Sequence, residues 1–176
     1  MDITSDGAGS DVPGDQLGVV VIGRNEGERL RRCLESLGRQ VRAAVYVDSG
    51  SEDGSVALAR QMGATVVELD TAIPFTAARA RNEGFAALQQ VQGEVAMVQF
   101  VDGDCEVESG WLQRAARELR QDDQLAAVFG RRRERARDAS SYNPLCDREW
   151  DVPAGELQCS GGEPPVRDVP LPPGGV

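Results

Sequence analysis

Short apolar runs alternate with amphipathic stretches from Leu17 onward, and their spacing predicts a strand–helix alternation. Residues 19–22 (Val-Val-Val-Ile) are continuously apolar and bounded by glycines, as in a strand buried on both faces. A helix follows, with Asn25 as the expected N-cap, Glu28 three residues on, and Leu30, Cys33, Leu34 and Leu37 along one face. The same reading gives a strand over 44–47, a helix from about Asp53 to near Gly63, and a strand over 65–69. A helix over 76–91 carries Ala77, Ala80, Gly84, Ala87, Leu88 and Val91 as its packing stripe, small enough to lie close to a sheet. Then come a strand over 95–101, a helix opened by Ser109 with Leu112, Ala115, Ala116 and Leu119 inward, and a strand over 125–129. Strands alternating with helices in this way predict an α/β fold with a mostly parallel central sheet flanked by helices.

The flanks read differently. Residues 1–16 are rich in Asp, Gly and Ser without apolar periodicity, which predicts a flexible acidic tail. Beyond Gly130 comes a basic stretch, Arg131, Arg132, Arg133, Arg135 and Arg137, expected to be a solvated loop more readily than a phosphate-binding one. Residues 161–176 hold five of the nine prolines, so from residue 163 an extended, poorly ordered tail is expected, with one domain over 17–162.

Composition narrows the chemistry. A formal net charge of −10 argues against a nucleic-acid partner, because phosphate neutralisation needs clustered cations in excess. The chain has no histidine, which removes Ser-His-Asp triads, histidine-ligated zinc and imidazole acid–base catalysis. Its four cysteines, Cys33, Cys105, Cys146 and Cys159, form no Cys-x-x-Cys pair and read as free thiols of a reducing compartment. No apolar run approaches the ~20 residues of a membrane span. A cytoplasmic location is therefore expected, with peripheral membrane contact left open.

The polar residues able to do chemistry fall where the predicted strands end, which is where open α/β sheets bind ligands. Gly23-Arg24-Asn25-Glu26 follows the first strand, Asp48-Ser49-Gly50-Ser51-Glu52-Asp53-Gly54-Ser55 the second, and Asp102-Gly103-Asp104 the fourth. Two carboxylates separated by one glycine can offer oxygen ligands to a hard divalent cation while leaving positions for phosphate oxygens. They can equally be an acidic turn that ends a strand. Asp48 is either a hydrogen-bond acceptor for a ligand or the anchor of an Asx turn. Asn25 and Glu26 are already explained by helix capping, and Arg81 by a solvent-facing helix position. The 51–55 stretch lacks the lysine of a P-loop and the glycine spacing of a dinucleotide fingerprint.

Taken together, the segments beginning at Gly18 and Val47, with Ala80-Arg81-Asn82-Glu83-Gly84 and Phe100-Val101-Asp102-Gly103-Asp104, resemble the ordered motifs of family 2 glycosyltransferases. The resemblance covers about residues 17–162. It implies a Rossmann-like GT-A fold that binds a nucleoside-diphosphate sugar, with a UDP-sugar the commonest donor in the family and the acceptor unknown. By motif position, Gly23, Arg24, Asn25, Glu26 and Asp48 would hold the base and Arg81 would fix the nucleotide. Asp102 would contact the ribose, and Asp104, with Asp102 beside it, would ligate Mg²⁺ or Mn²⁺ on the diphosphate. The reaction implied is metal-dependent transfer to an acceptor hydroxyl with inversion, aided by a carboxylate base.

Relatives of this kind continue into an acceptor half that contains the base. Here Cys159-Ser160-Gly161-Gly162 resembles the approach to that half, whereas the sequence from Glu163 does not resemble its continuation. The expectation is an incomplete GT-A domain, either an active transferase or a truncated, inactive nucleotide-sugar-binding remnant or interaction module. Asp147, Glu149 and Asp151 are available carboxylates, none assigned as base. A nucleotidyltransferase shares the layout, but residues 23–29 are a poor substitute for its Gly-rich, basic triphosphate loop.

Overall fold

The computed structural model describes residues 17–38, 41, 43–93, 95–135, 143, 156–157 and 166–168. The chain divides into two compact units, Met1–Leu112 and Gln113–Val176. In the first unit β1 (Leu17–Gly23), α1 (Glu28–Leu37), β2 (Ala43–Asp48), α2 (Ser55–Gln61), β3 (Thr65–Glu68), α3 (Ala77–Gln92) and β4 (Met97–Asp102) follow in turn. The four strands form one sheet in the order β3-β2-β1-β4, and every pairing is parallel. The expected α/β class and mostly parallel sheet are therefore observed.

The alternation of β1 explains the layering, because successive side chains of a strand point to opposite faces. Val19 and Val21 enter one core with Leu30, Cys33 and Leu37 of α1, Tyr46 of β2 and Ala59 of α2. Val20 and Ile22 enter the other with Val45 and Val47 of β2 and Ala80 and Leu88 of α3. Thus α1 and α2 cover one face and α3 the other, and β1 is buried along nearly its whole length. The small residues of α3 allow close approach. A Cβ on Gly84 would lie 2.4 Å from Val20 Cγ1 and 2.7 Å from Val47 Cγ2. The stripe is narrower than its sequence suggests, since Val91 is exposed.

Two helix starts differ from the sequence reading. The N-cap of α1 is Gly27, without a side-chain cap, and Asn25 is no cap. It adopts a left-handed backbone (φ 55°) with its side-chain oxygen bonded to another loop, a conformation Asn tolerates better than most residues. α4 (Trp111–Gln121) begins two residues after Ser109, with Gly110 at φ 81° turning the chain into it.

The second unit holds a small sheet of β5 (Ala127–Phe129), β6 (Glu156–Leu157) and β7 (Val166–Asp168) in the order β5-β7-β6. The strand expected over 125–129 therefore pairs with β7 and does not join the main sheet. β7 lies within the segment expected to be an extended tail, and it pairs antiparallel with β6. Arg137, Asp147, Glu149, Asp151, Cys146 and Cys159 fall outside the described residues, as do residues 1–16.

Candidate functional site

The chain leaves β1 for β2 and β3 on one side, then returns to place β4 on the other. The reversal lies between β1 and β4, and in open α/β sheets the crevice outside the carboxyl ends at such a switch point is where ligands bind. Register brings the motif residues to that edge. Gly23 is level with Asp48, and Ile22 with Asp102. Three of the four motifs thus begin on adjacent strand ends, and the fourth, bearing Arg81, reaches the same edge from α3.

The loops after β1 and β2 are laced together. Ser49 donates its backbone N–H to the Gly23 carbonyl at 3.1 Å and its hydroxyl to the same oxygen at 3.2 Å. The Asn25 amide donates to Ser51 Oγ at 2.8 Å, and Asn25 Oδ1 accepts from the Glu52 amide at 2.8 Å. Ser55 Oγ accepts from the amides of Glu26 (3.1 Å) and Gly27 (2.9 Å) and donates to Asp53 Oδ1 at 2.6 Å. A serine that begins α2 therefore satisfies amides at the start of α1, groups that no helix can satisfy internally. The Ser55 hydroxyl also holds the Asp53 carboxyl below the usual carboxylate range.

Asp48 organises the second loop from a buried position, 2% exposed. Oδ2 accepts from the amides of Gly50 (2.9 Å) and Ser51 (2.8 Å), while Oδ1 accepts from the Tyr46 hydroxyl at 3.0 Å and from the Ser51 hydroxyl. Four donors occupy the four lone-pair positions a carboxylate offers. Burial raises the Tyr46 hydroxyl well above the usual tyrosine range, which keeps its proton in place to donate.

On the other side of β1, Arg81 Nη2 meets Asp102 Oδ1 at 2.8 Å, with each side chain a little over one-third exposed. The 102–108 segment is moored to α1. The Cys33 thiol donates to the Asp102 carbonyl at 3.7 Å, the Val107 amide donates to Ser36 Oγ at 2.9 Å, and Arg32 pairs with Glu106 at 2.9 Å. Burial pushes the Cys33 thiol up to about 12, so it remains a neutral donor. Asp104 stands exposed at the rim, where its Oδ1 accepts from the Cys105 thiol at 3.4 Å.

Glu26 joins the two sides. Its side chain passes close to two glycines, since a Cβ on Gly23 would lie 2.9 Å from Glu26 Cγ and one on Gly103 3.2 Å from it. Its Oε2 is ion-paired with Arg29 at 2.9 Å but receives no well-directed hydrogen bond. Burial raises its pKa, Arg29 opposes that shift, and the nearby charges of Asp104 and Asp53 reinforce it. A carboxyl whose folded pKa exceeds its unfolded value of 4.5 favours the native state most below that value. Its contribution is lost as pH rises through the folded pKa. Glu26→Gln is expected to make urea-unfolding stability fall less between pH 4 and pH 7 than in the wild type. An equal or steeper fall would contradict the assignment.

Among the described residues no group of three or more His, Cys, Asp or Glu is gathered as a metal cage. Asp102 and Asp104 offer two carboxylates, one with an oxygen already on Arg81. That donor set fits an ion completed by phosphate oxygens and water, which is how Mg²⁺ is usually held.

Sequence reasoning named Gly23, Asp48 and Asp102, which end β1, β2 and β4, Arg24, Asn25, Glu26 and Asp104 in the loops that follow, and Arg81 on α3. It missed Ser55 and Tyr46 as supports, because their partners lie elsewhere in the chain or depend on burial. Ser55→Ala is expected to cost about 1–3 kcal/mol, the usual penalty for stranding buried donors. Urea unfolding measures it, and a loss below about 0.5 kcal/mol would mean that the two amides find other partners.

Fold and edge together define a doubly wound α/β domain with a topological switch point between β1 and β4. The sequence model of Glycosyl transferase family 2 matches residues 18–157. The chain belongs to that family, and its four-stranded parallel sheet flanked by helices is the family's GT-A, Rossmann-like arrangement. It is 32% identical over 104 residues to Glycosyltransferase AglE of Haloferax volcanii, covering 54% of this chain and 33% of that protein. It is 40% identical over 72 residues to the TPR repeat-containing protein Synpcc7942_0270 of Synechococcus elongatus, covering 41% of this chain and 17% of that protein. The chain thus spans a third or less of these curated relatives. Among the described residues no helix is long and apolar enough to cross a membrane.

Proposed function

We propose that the carboxyl edge of the first unit binds a nucleoside-diphosphate sugar for transfer of its glycosyl group to an acceptor hydroxyl. The observation that carries this reading is the meeting of two laced loops with the Arg81–Asp102 pair on either side of the switch point. The backbone of residues 23–26 faces the base, and Asp48 acts on it through the loop whose amides it gathers. Arg81 orients Asp102 toward the ribose, leaving Asp104 at the rim beside the diphosphate.

Mg²⁺ or Mn²⁺ bound through Asp104 and Asp102 would supply a Lewis acid for the charge that builds on the leaving diphosphate. The protein's own part is to hold the donor and its leaving group in place. In an inverting transfer the acceptor oxygen bonds to the anomeric carbon as the bond to the diphosphate breaks, and the hydroxyl proton passes to a carboxylate base. No residue is assigned to that last role.

A thermal-shift panel of nucleoside diphosphates and their sugars, with and without Mn²⁺, tests the reading. A ligand at 100 times its dissociation constant stabilises the folded state by about 2.7 kcal/mol, so a true donor shows as a clear upward shift that Mn²⁺ increases. A panel without any shift would remove the proposal.

A further inference from the structure

The segment that carries Asp104 is tied to the second half of α1 through two residues. The Cys33 thiol donates to the Asp102 carbonyl at 3.7 Å, the Cys33 carbonyl accepts from the Ser36 hydroxyl at 2.6 Å, and Ser36 Oγ accepts from the Val107 amide at 2.9 Å. We propose that Ser36 is a positioning residue for the cation site, its hydroxyl fixing the far end of the 102–107 segment and thereby setting Asp104 where it meets a divalent cation on the diphosphate. The inference rests on the donor reading above and adds to it a residue of α1, outside the sequence motifs that follow the strands.

Asp104 needs such support because its own side chain has little. Asp48 is gripped by four donors and Asp102 by Arg81. Among the described residues Asp104 receives a hydrogen bond only from the Cys105 thiol, at 3.4 Å, and a thiol is a weak donor. Its carboxylate is therefore placed by its backbone. At the start of the turn the Gly103 amide donates to the Ile22 carbonyl at 2.8 Å and the Cys105 amide to the Asp102 carbonyl at 2.9 Å. Beyond the turn, the Val107 N–H ties the segment back to α1.

A hydroxyl suits that second tie. It donates its one proton to the carbonyl a turn back in the helix and keeps lone pairs for the incoming amide. The bond joins positions 71 residues apart in sequence, so no local turn reproduces it. The Arg32–Glu106 pair lies alongside, but its partners are 41% and 36% exposed, and exposed pairs hold geometry weakly. Val107 itself packs against the core with α1, so apolar contact keeps the side chain in place while the hydroxyl directs the backbone.

The other loops of the edge are held by different groups. Those after β1 and β2 are joined through Asn25, Ser49, Ser51 and Ser55, and none of these bonds involves Ser36. Loss of its hydroxyl should therefore loosen the cation side of the site and spare the side that faces the base.

Calorimetry on the full chain tests this, with the nucleoside diphosphate that gives the largest thermal shift titrated once with Mn²⁺ and once with EDTA. Ser36→Ala is expected to cut the affinity gained from Mn²⁺ about tenfold, the lower end for a group that supports a metal ligand, and to leave metal-free affinity within about twofold of the wild type. Alanine is the stronger helix former, so α1 should persist. Ser36→Thr should restore the gain, since a threonine hydroxyl in a helix can bond the same carbonyl. A wild-type gain in Ser36→Ala would overturn this proposal while leaving the donor reading intact. Equal weakening with and without metal would overturn it as well, since the hydroxyl would then serve the fold alone. A wild-type chain that binds the nucleotide without any gain from Mn²⁺ would remove this proposal together with the cation role of Asp104, and one that binds no nucleotide would remove the donor reading itself.

Discussion

Replacing Asp102 by alanine is expected to weaken nucleotide-sugar binding by about a hundredfold or more while changing the free energy of unfolding by less than about 1 kcal/mol. The two effects separate because of where the carboxylate sits. Its contact with Arg81 spans 2.8 Å between side chains that are 38% and 37% exposed, and exposed ion pairs contribute about 0–1 kcal/mol to stability. A hydrogen bond from a ligand hydroxyl to a charged acceptor is worth about 1.5–3 kcal/mol, and loss of a cation ligand adds to it. Arg81, without its partner, would also cease to be held at the edge. Calorimetry with the best ligand of the panel, alongside urea unfolding, measures both quantities. Wild-type affinity in Asp102→Ala would count against the ribose and metal roles together.

Asp48→Ala should show the opposite balance, with a loss of about 3 kcal/mol in unfolding free energy that carries ligand binding down with it. Its carboxylate is buried and engaged by two amides and two hydroxyls, and truncation leaves all four donors to find other partners. Asp48→Asn is the informative comparison. Its amide oxygen can still face the Gly50 and Ser51 N–H groups, while its NH₂ can face the two hydroxyls, which are able to rotate and accept. It should therefore retain more than half of the stability lost by Asp48→Ala. Equal urea midpoints for the two variants would show that the carboxylate's bonds do not hold this loop.

These variants mark the boundary between what was legible in the chain and what was not. Asp48 could be read as either a ligand acceptor or an Asx anchor, because its sequence neighbours suit both. The anchor is what folding builds, since Tyr46 and the Gly50 and Ser51 amides are all local and their geometry follows from the turn. Asn25 misled for a related reason. Asn before a helix usually caps it, but its side chain here meets Glu52 across a loop 27 residues away, and Ser55 supplies the acceptor for the amides of Glu26 and Gly27. A bond between loops leaves no periodic trace in the sequence of either.

The fifth strand is a similar case. Residues 127–129 read correctly as extended, yet pairing partners are chosen by tertiary context, and β5 pairs with β7, a strand nearly forty residues further on. Arg79 reads in the sequence as a solvent-facing helix position, yet its guanidinium is engaged by the Asp70 and Ile73 carbonyls and by Glu83.

The sequence by itself determined the order of strands and helices in the first unit, the double burial of β1 and the family. Each of these follows from short-range periodicity or from fixed motif spacing, which survive without coordinates. Only the tertiary structure decided which polar groups are engaged and which stand at the rim. Hydrogen bonds and burial depend on partners brought together from distant positions, and here the parallel register does this by setting Gly23 level with Asp48 and Ile22 level with Asp102.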